Sequence, residues 1–99
     1  MTSVALVVHL QAKAGMEDQL STFLAGAVDL ANQEEGTPVW FALRTDPSTF
    51  WIVDAFPGER ERQAHLDGPI AAALMDNADR LLSAPPQIMR ADVLASKTP

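Results

Sequence analysis

Along Ser3–Ala12 the apolar residues are dense and rich in β-branching, and the turn-like Lys13-Ala14-Gly15 closes the run, which predicts a strand. Val4, Leu6, Val8 and Leu10 share one face of it; Ala5, Val7, His9 and Gln11 share the other. The second face is mostly apolar too, so the strand is expected to be covered on both sides. From Met16 to Gln33 the period changes. Met16, Leu20, Phe23, Leu24, Ala27, Leu30 and Ala31 recur at three- and four-residue steps and predict a helix with one apolar stripe. Glu17 and Asp18 fall in its first turn, where the helix dipole favours anions, and Gly36 reads as its stop. Thr37–Thr45 and Thr49–Phe56 read as two strands joined by the turn residues Asp46-Pro47-Ser48, hence an antiparallel hairpin.

Pro57-Gly58 breaks the alternation. Glu59–Leu66 reads as a short helical stretch, and Asp67-Gly68-Pro69 restarts a helix that runs to about Ser83. That helix is expected to bury Ile70, Leu74, Ala78, Leu81 and Leu82, and Ala84-Pro85-Pro86 ends it. Gln87–Ala95 is the last predicted strand, and Ser96–Pro99 a frayed tail. The order is β-α-β-β-α-β with the second helical region broken at Gly68: an α+β, ferredoxin-like arrangement built as one domain over residues 1–99. Helices cover one sheet face. The other carries large apolar side chains and would be bare in a monomer, so a homodimer with sheets packed face to face is expected.

Composition narrows the functions. With 47% hydrophobic and 20% charged residues the chain is not of disordered type. Seven Lys+Arg against thirteen Asp+Glu give a net charge of −6, which argues against nucleic acid or anionic lipid as partner. The absence of cysteine removes disulfides, thiolate nucleophiles and cysteine-held metal. The N-terminal run has no basic segment before it and ends at His9, and no stretch approaches a membrane span, so a cytoplasmic protein is expected.

Phosphate-binding glycine loops and the common hydrolase and metalloprotease motifs are missing from the sequence. Two histidines remain. His9 reads as a half-buried or edge histidine on its strand. His65 ends the short helix just before the Gly68 break, a natural mouth for a pocket, and imidazole is the side chain best suited to move protons near neutral pH. Asp54 stands mid-strand among Phe50, Ile52 and Phe56, so its carboxylate needs a partner: Arg44, Arg90 or His65. Neither histidine has a ligand-spaced neighbour, and no metal is expected. The run Glu59-Arg60-Glu61-Arg62 reads as a solvated helix face, and Met75 and Met89 as core filler.

Strand Val4–Ala12 with Lys13-Ala14-Gly15, then Glu34-Glu35-Gly36-Thr37, then Phe50-Trp51-Ile52-Val53-Asp54-Ala55-Phe56, then Ala64-His65-Leu66, together resemble the antibiotic biosynthesis monooxygenase superfamily over roughly residues 3–95. The resemblance implies a dimeric α+β barrel with a pocket between sheet and helices. Among the family's functions are oxygenation of quinols and polyketide aromatics without a cofactor, haem degradation, and isomerisation of a phosphorylated signal. The family's glutamate-proline-glycine-threonine turn appears here without its proline. Its mid-strand glutamate corresponds to Asp54, its nearby aromatic to Phe56, and its helix histidine to His65. The haem branch's ligating histidine would fall near Met75 and its strand asparagine near Val8, so haem is not expected.

The expected function is oxidation of a small quinol or hydroxylated aromatic by O₂ with no cofactor. His65 would be the base or a hydrogen-bond partner, and Asp54 its orienting partner or the holder of a substrate hydroxyl. Trp51, Trp40, Phe56 and Arg44 are candidate pocket residues, with Trp51 and Phe56 on opposite strand faces. The alternatives are a non-catalytic small-molecule-binding dimer, or an isomerase using the same pocket. A cavity lined by both His65 and Asp54 would favour an enzyme; a filled core would favour a structural role.

Overall fold

The computed structural model describes residues 1–98. Its elements are β1 (Val4–Gln11), α1 (Glu17–Ala31), β2 (Val39–Asp46), β3 (Thr49–Phe56), α2 (Glu59–Leu66), α3 (Pro69–Leu81) and β4 (Gln87–Asp92). The strands form one antiparallel sheet in the order β2-β3-β1-β4. This is the ferredoxin-like α+β fold expected from the order of periods.

Register decides which residues meet. Leu6 lies opposite Asp54, Val8 opposite Ile52 and Leu10 opposite Phe50, while Trp40 lies opposite Asp54 across the hairpin. Side chains at paired positions share a sheet face. Leu6, Val8, Leu10, Phe50, Ile52 and Phe56 therefore form one buried layer, against which α1 packs Leu20 and Leu24 and α3 packs Leu74 and Leu81. Each such leucine contributes roughly 1.5–3 kcal/mol of transfer free energy. Ile70 and Leu82 are buried as expected, and Ala78 partly.

The short helix α2 is held differently. Its buried residues are Arg62 and His65, both polar. Arg62 Nη1 donates to the carbonyls of Ala5 on β1 (3.1 Å) and Ala91 on β4 (3.2 Å), and Arg62 also pairs with Glu59. The expectation of a solvated Glu59–Arg62 face is thus corrected at Arg62. The run is solvated elsewhere, but one guanidinium turns inward because it can bond two strand carbonyls at once. Met75 and Met89 are exposed rather than core.

Three boundaries move. The Thr37-Pro38 pair lies in the turn before β2, since Pro38 has no N–H for a ladder and the Thr37 N–H bonds the Glu34 carbonyl. Strand β4 ends at Asp92 instead of Ala95; the Val93 N–H bonds the Ser3 carbonyl as the chain leaves the sheet. Gly36 is not the helix stop, because α1 ends at Ala31 with Asn32 as a right-handed cap. Its smallness serves a close approach instead: a Cβ there would stand 3.2 Å from Glu61 Cγ and 3.3 Å from Glu61 Cβ. Gly68 caps α3 ahead of Pro69, and a Cβ there would press on the carbonyl oxygens of His65 (3.2 Å) and Ala64 (3.3 Å).

Among the described residues no helix lies over the other sheet face. Val7, His9, Trp51 and Val53 line its middle, half-buried, while Phe41, Leu43 and Met89 are exposed on it. His9 sits on the interior strand β1, not at an edge, and its ring packs on Trp51 with centroids 4.8 Å apart.

Leu20 is fully buried between α1 and the sheet, so Leu20→Ala should cost about 2–5 kcal/mol. Urea unfolding monitored by circular dichroism measures it; an unchanged midpoint would remove Leu20 from the core.

Candidate functional site

Three segments distant in sequence meet beneath α2. His65 comes from its last turn, Asp54 from the middle of β3, and Glu34 from the connection between α1 and β2. His65 Nε2 lies 2.9 Å from Asp54 Oδ2, and His65 Nδ1 lies 2.7 Å from Glu34 Oε1. His65 is 6% exposed and Asp54 1%. The Thr37 hydroxyl donates to the same Glu34 oxygen at 2.9 Å, and the Phe56 ring lies 5.2 Å from the imidazole. Gly36 and Gly68 flank the meeting point. The first lets the Glu34–Thr37 loop lie against α2, and the second lets α3 start directly behind His65.

The imidazole thus has a carboxylate on each nitrogen. Only the doubly protonated ring can donate in both directions. Burial pulls the His65 pKa down, but the hydrogen bonds to Asp54 and Glu34 push it up by more, so it lies above its usual 6.5. Both carboxylates thus favour the protonated ring. Both ring nitrogens of His65, expected as base or hydrogen-bond partner, are engaged by carboxylates. The free acceptors lie on its partners. Asp54 Oδ1 and Glu34 Oε2 are buried with no hydrogen-bond partner among the described residues, and so is Trp40 Nε1.

Of the partners expected for Asp54, His65 is the one found. Arg44 instead donates to the Pro47 carbonyl at 2.8 Å and lies over the Phe50 ring at 4.8 Å, and Arg90 pairs with Glu59 at 2.8 Å. Trp40 and Phe56 are on the Asp54 face. Trp51 is on the opposite face, where its N–H donates to the Thr45 hydroxyl at 3.1 Å. Trp51 and Arg44 are thereby removed from the neighbourhood of Asp54. Glu34 was missed as a site residue. The sole pointer to it was its place in the Glu34-Glu35-Gly36-Thr37 turn, since nothing local links it to a residue 31 positions on.

Neither His65 nor Asp54 lines the surface clefts described for residues 1–98. Between α1 and α3, a hollow of about 190 Å³ is lined by Phe23, Ala27, Leu30 and Ile70. A cleft of about 800 Å³ at the start of β2 is lined by Pro38, Val39, Trp40 and Phe41 together with residues near both chain ends. Among the described residues no group of three or more histidine, cysteine, aspartate or glutamate side chains is arranged to hold a metal ion, and no helix is long and apolar enough to cross a membrane.

The raised His65 pKa makes stability depend on pH with a definite sign. Between 6.5 and the higher folded value the native state binds more protons than the unfolded state, so stability falls as pH rises. Urea midpoints of the wild type should drop from pH 6 to pH 8.5. His65→Gln should be less stable at pH 6 by ~3 kcal/mol, with the gap to wild type narrowing as pH rises. A gap that is constant or widens with pH would show that His65 is not held as a cation.

No family model and no curated protein matches the sequence. Solved structures do. A protein of unknown function from Nitrosomonas europaea is 57% identical, with a TM-score of 0.98 over 100% of this chain and 96% of that one. Two others bear the name "putative antibiotic biosynthesis monooxygenase". One is from Deinococcus radiodurans: 18% identity, TM-score 0.83, 96% of each chain covered. The other is also from Nitrosomonas europaea: 15% identity, TM-score 0.83, 93% of this chain and 99% of that one. At such identities the last two establish a common fold, which agrees with the resemblance read from the residues. The chain belongs to the family of the 57% identical Nitrosomonas europaea protein and has the fold of the antibiotic biosynthesis monooxygenase superfamily.

Proposed function

We propose that the protein is a cofactor-independent monooxygenase that oxidises a small quinol or other hydroxylated aromatic with O₂. One observation carries the reading: a carboxylate oxygen, Asp54 Oδ1, is buried and unpartnered while its sibling Oδ2 is held by His65. A buried ion cluster is a poor way to gain stability, because desolvation consumes most of its attraction. Buried titratable groups that hydrogen-bond one another are concentrated at working sites. Two solved structures of this fold bear the name "putative antibiotic biosynthesis monooxygenase", which points the same way.

In this reading Asp54 Oδ1 takes the proton of the substrate hydroxyl, and the His65 imidazolium, braced by Glu34, holds Asp54 in place and balances its charge. The resulting phenolate is electron-rich enough to pass one electron to O₂. The two radicals join at a ring carbon bearing hydrogen, and the peroxide loses water. One oxygen atom ends as the new quinone carbonyl and the other as water, so hydroxyarene plus O₂ gives quinone plus H₂O. The protein supplies the base, the positioning and the exclusion of bulk water. Assembly is proposed to be a homodimer through the open sheet face, since Phe41, Leu43 and Met89 are exposed together there.

The closed packing around His65 favours a second reading, in which the cluster clasps α2 to the sheet and the chain binds a small molecule without transforming it. Oxygen-electrode assays with a panel of hydroquinones and hydroxynaphthalenes separate the two. One O₂ consumed per quinone formed is expected, with Asp54→Asn and His65→Ala each lowering kcat by ~10²–10⁴-fold and His9→Ala leaving it unchanged. Wild-type rates in His65→Ala, or no turnover of any member, would favour the clasp. For the dimer, sedimentation should give twice the chain mass, and Phe41→Glu should shift it to the monomer; a wild-type monomer at micromolar concentration would defeat that proposal.

A further inference from the structure

We propose that Trp40 Nε1 and Asp54 Oδ1 form a two-point clamp for one neutral hydroxyl group of a small aromatic ligand, which makes Trp40 a specificity-determining residue. The inference rests on the reading of Asp54 above and deepens it. Trp40 and Asp54 are paired positions of β2 and β3 and share a sheet face. Side chains so placed start from Cβ atoms about 5 Å apart. Yet the indole N–H and the carboxylate oxygen bond neither each other nor any other described residue, and both are sealed from solvent by the surrounding protein. An orphaned buried donor and an orphaned buried acceptor each carry a desolvation penalty that a bonding partner would relieve. Two of them, of opposite kind and carried by paired residues of one sheet face, are a template for a third group.

The chemistry of that group follows. An alcohol or phenol oxygen donates one hydrogen bond and accepts another, so it satisfies Asp54 and Trp40 together. A ketone or ether can only accept and leaves Asp54 unpaired. A carboxylate or phosphate would set its charge against Asp54 in a chain of net charge −6. An ammonium can only donate and leaves the indole unpaired. The remainder of the ligand is aromatic because the surroundings are: the Trp40 ring itself, and Phe56 beside His65. Trp40 also lines the cleft of about 800 Å³ with Pro38, Val39 and Phe41, so its side chain borders open space although Asp54 does not.

The test uses phenol, anisole and toluene as probes on the intact wild-type protein. Two-dimensional NMR follows the Trp40 indole N–H signal, assigned from its loss in Trp40→Phe. Phenol is expected to shift that signal and to bind at least ~10-fold more tightly than anisole or toluene, as one hydrogen bond of about 1.4 kcal/mol requires. Trp40→Phe keeps an aromatic ring but removes the donor, and should weaken phenol binding by ~10-fold and erase its advantage over anisole. Equal affinity for phenol and anisole, an unmoved indole signal, or no phenol binding at all overturns the clamp; the last result would mean that the pair holds an internal water. Oxygen uptake on a hydroquinone distinguishes the two levels. Loss of the clamp with turnover intact leaves the proton-accepting role of Asp54 standing. A working clamp with no turnover of any hydroxyarene removes the oxidation and keeps the binding site.

Discussion

An imidazole with a carboxylate on each nitrogen ties this structure together. Through His65, the loop after α1, the last turn of α2 and the middle of β3 converge on one point. The interaction is expensive in isolation, because three ionisable groups must leave water. It persists only where each charge finds a donor or acceptor at hydrogen-bond distance, and the neighbouring residues are fitted to that demand. Thr37 adds a second donor to Glu34, Gly36 allows its loop to approach α2, and Gly68 gives the α2–α3 break the room it needs behind His65.

The same demand explains why α2 has hardly any apolar stripe. A helix normally docks by burying one hydrophobic face. Here the buried residues are Arg62 and His65, one turn apart, and both reach down to strands. Arg62 satisfies two carbonyls at the β1–β4 seam while His65 satisfies a carboxylate on β3. Polar anchoring of this kind is directional. It fixes where His65 points more tightly than apolar contact would, since a hydrogen bond weakens steeply with angle and distance.

The two faces of the sheet have separate physical tasks. Strand alternation sends Leu6, Ile52, Asp54 and Phe56 under the helices and Val7, Val53, Trp51 and Phe41 to the other side. The first set builds a dense core interrupted by a single buried carboxylate. The second is an apolar surface with no helix over it, stiffened by the packing of His9 on Trp51 and by the Trp51–Thr45 hydrogen bond. The polar cluster and the exposed apolar surface therefore lie on opposite sides of one layer of backbone, and a change on one side reaches the other only through the strands.

Local sequence was sufficient for the elements and their order. Period-two runs gave the strands, the three- and four-residue stripe gave α1 and α3, and Gly68-Pro69 marked the break, because each of these depends on residues within a few positions of one another. Alternation also placed Asp54 among apolar neighbours and put Trp51 and Phe56 on opposite faces. Isolated residues were read less well where long-range partners decide. Arg62 looked solvated until two strand carbonyls were brought within its reach, and Met75 and Met89 looked like filler until the packing left them outside. Which of Arg44, Arg90 and His65 would meet Asp54 was open from sequence, because strand register and helix docking set that distance. Glu34 had no signal of its own, and its meeting with His65 exists only once α1, β2 and α2 are assembled. The sequence by itself thus determined the fold and a short set of candidate groups. Tertiary structure alone decided that the histidine stands between two carboxylates that raise its pKa, since that shift follows from charges a few ångströms away in space and not from neighbours along the chain.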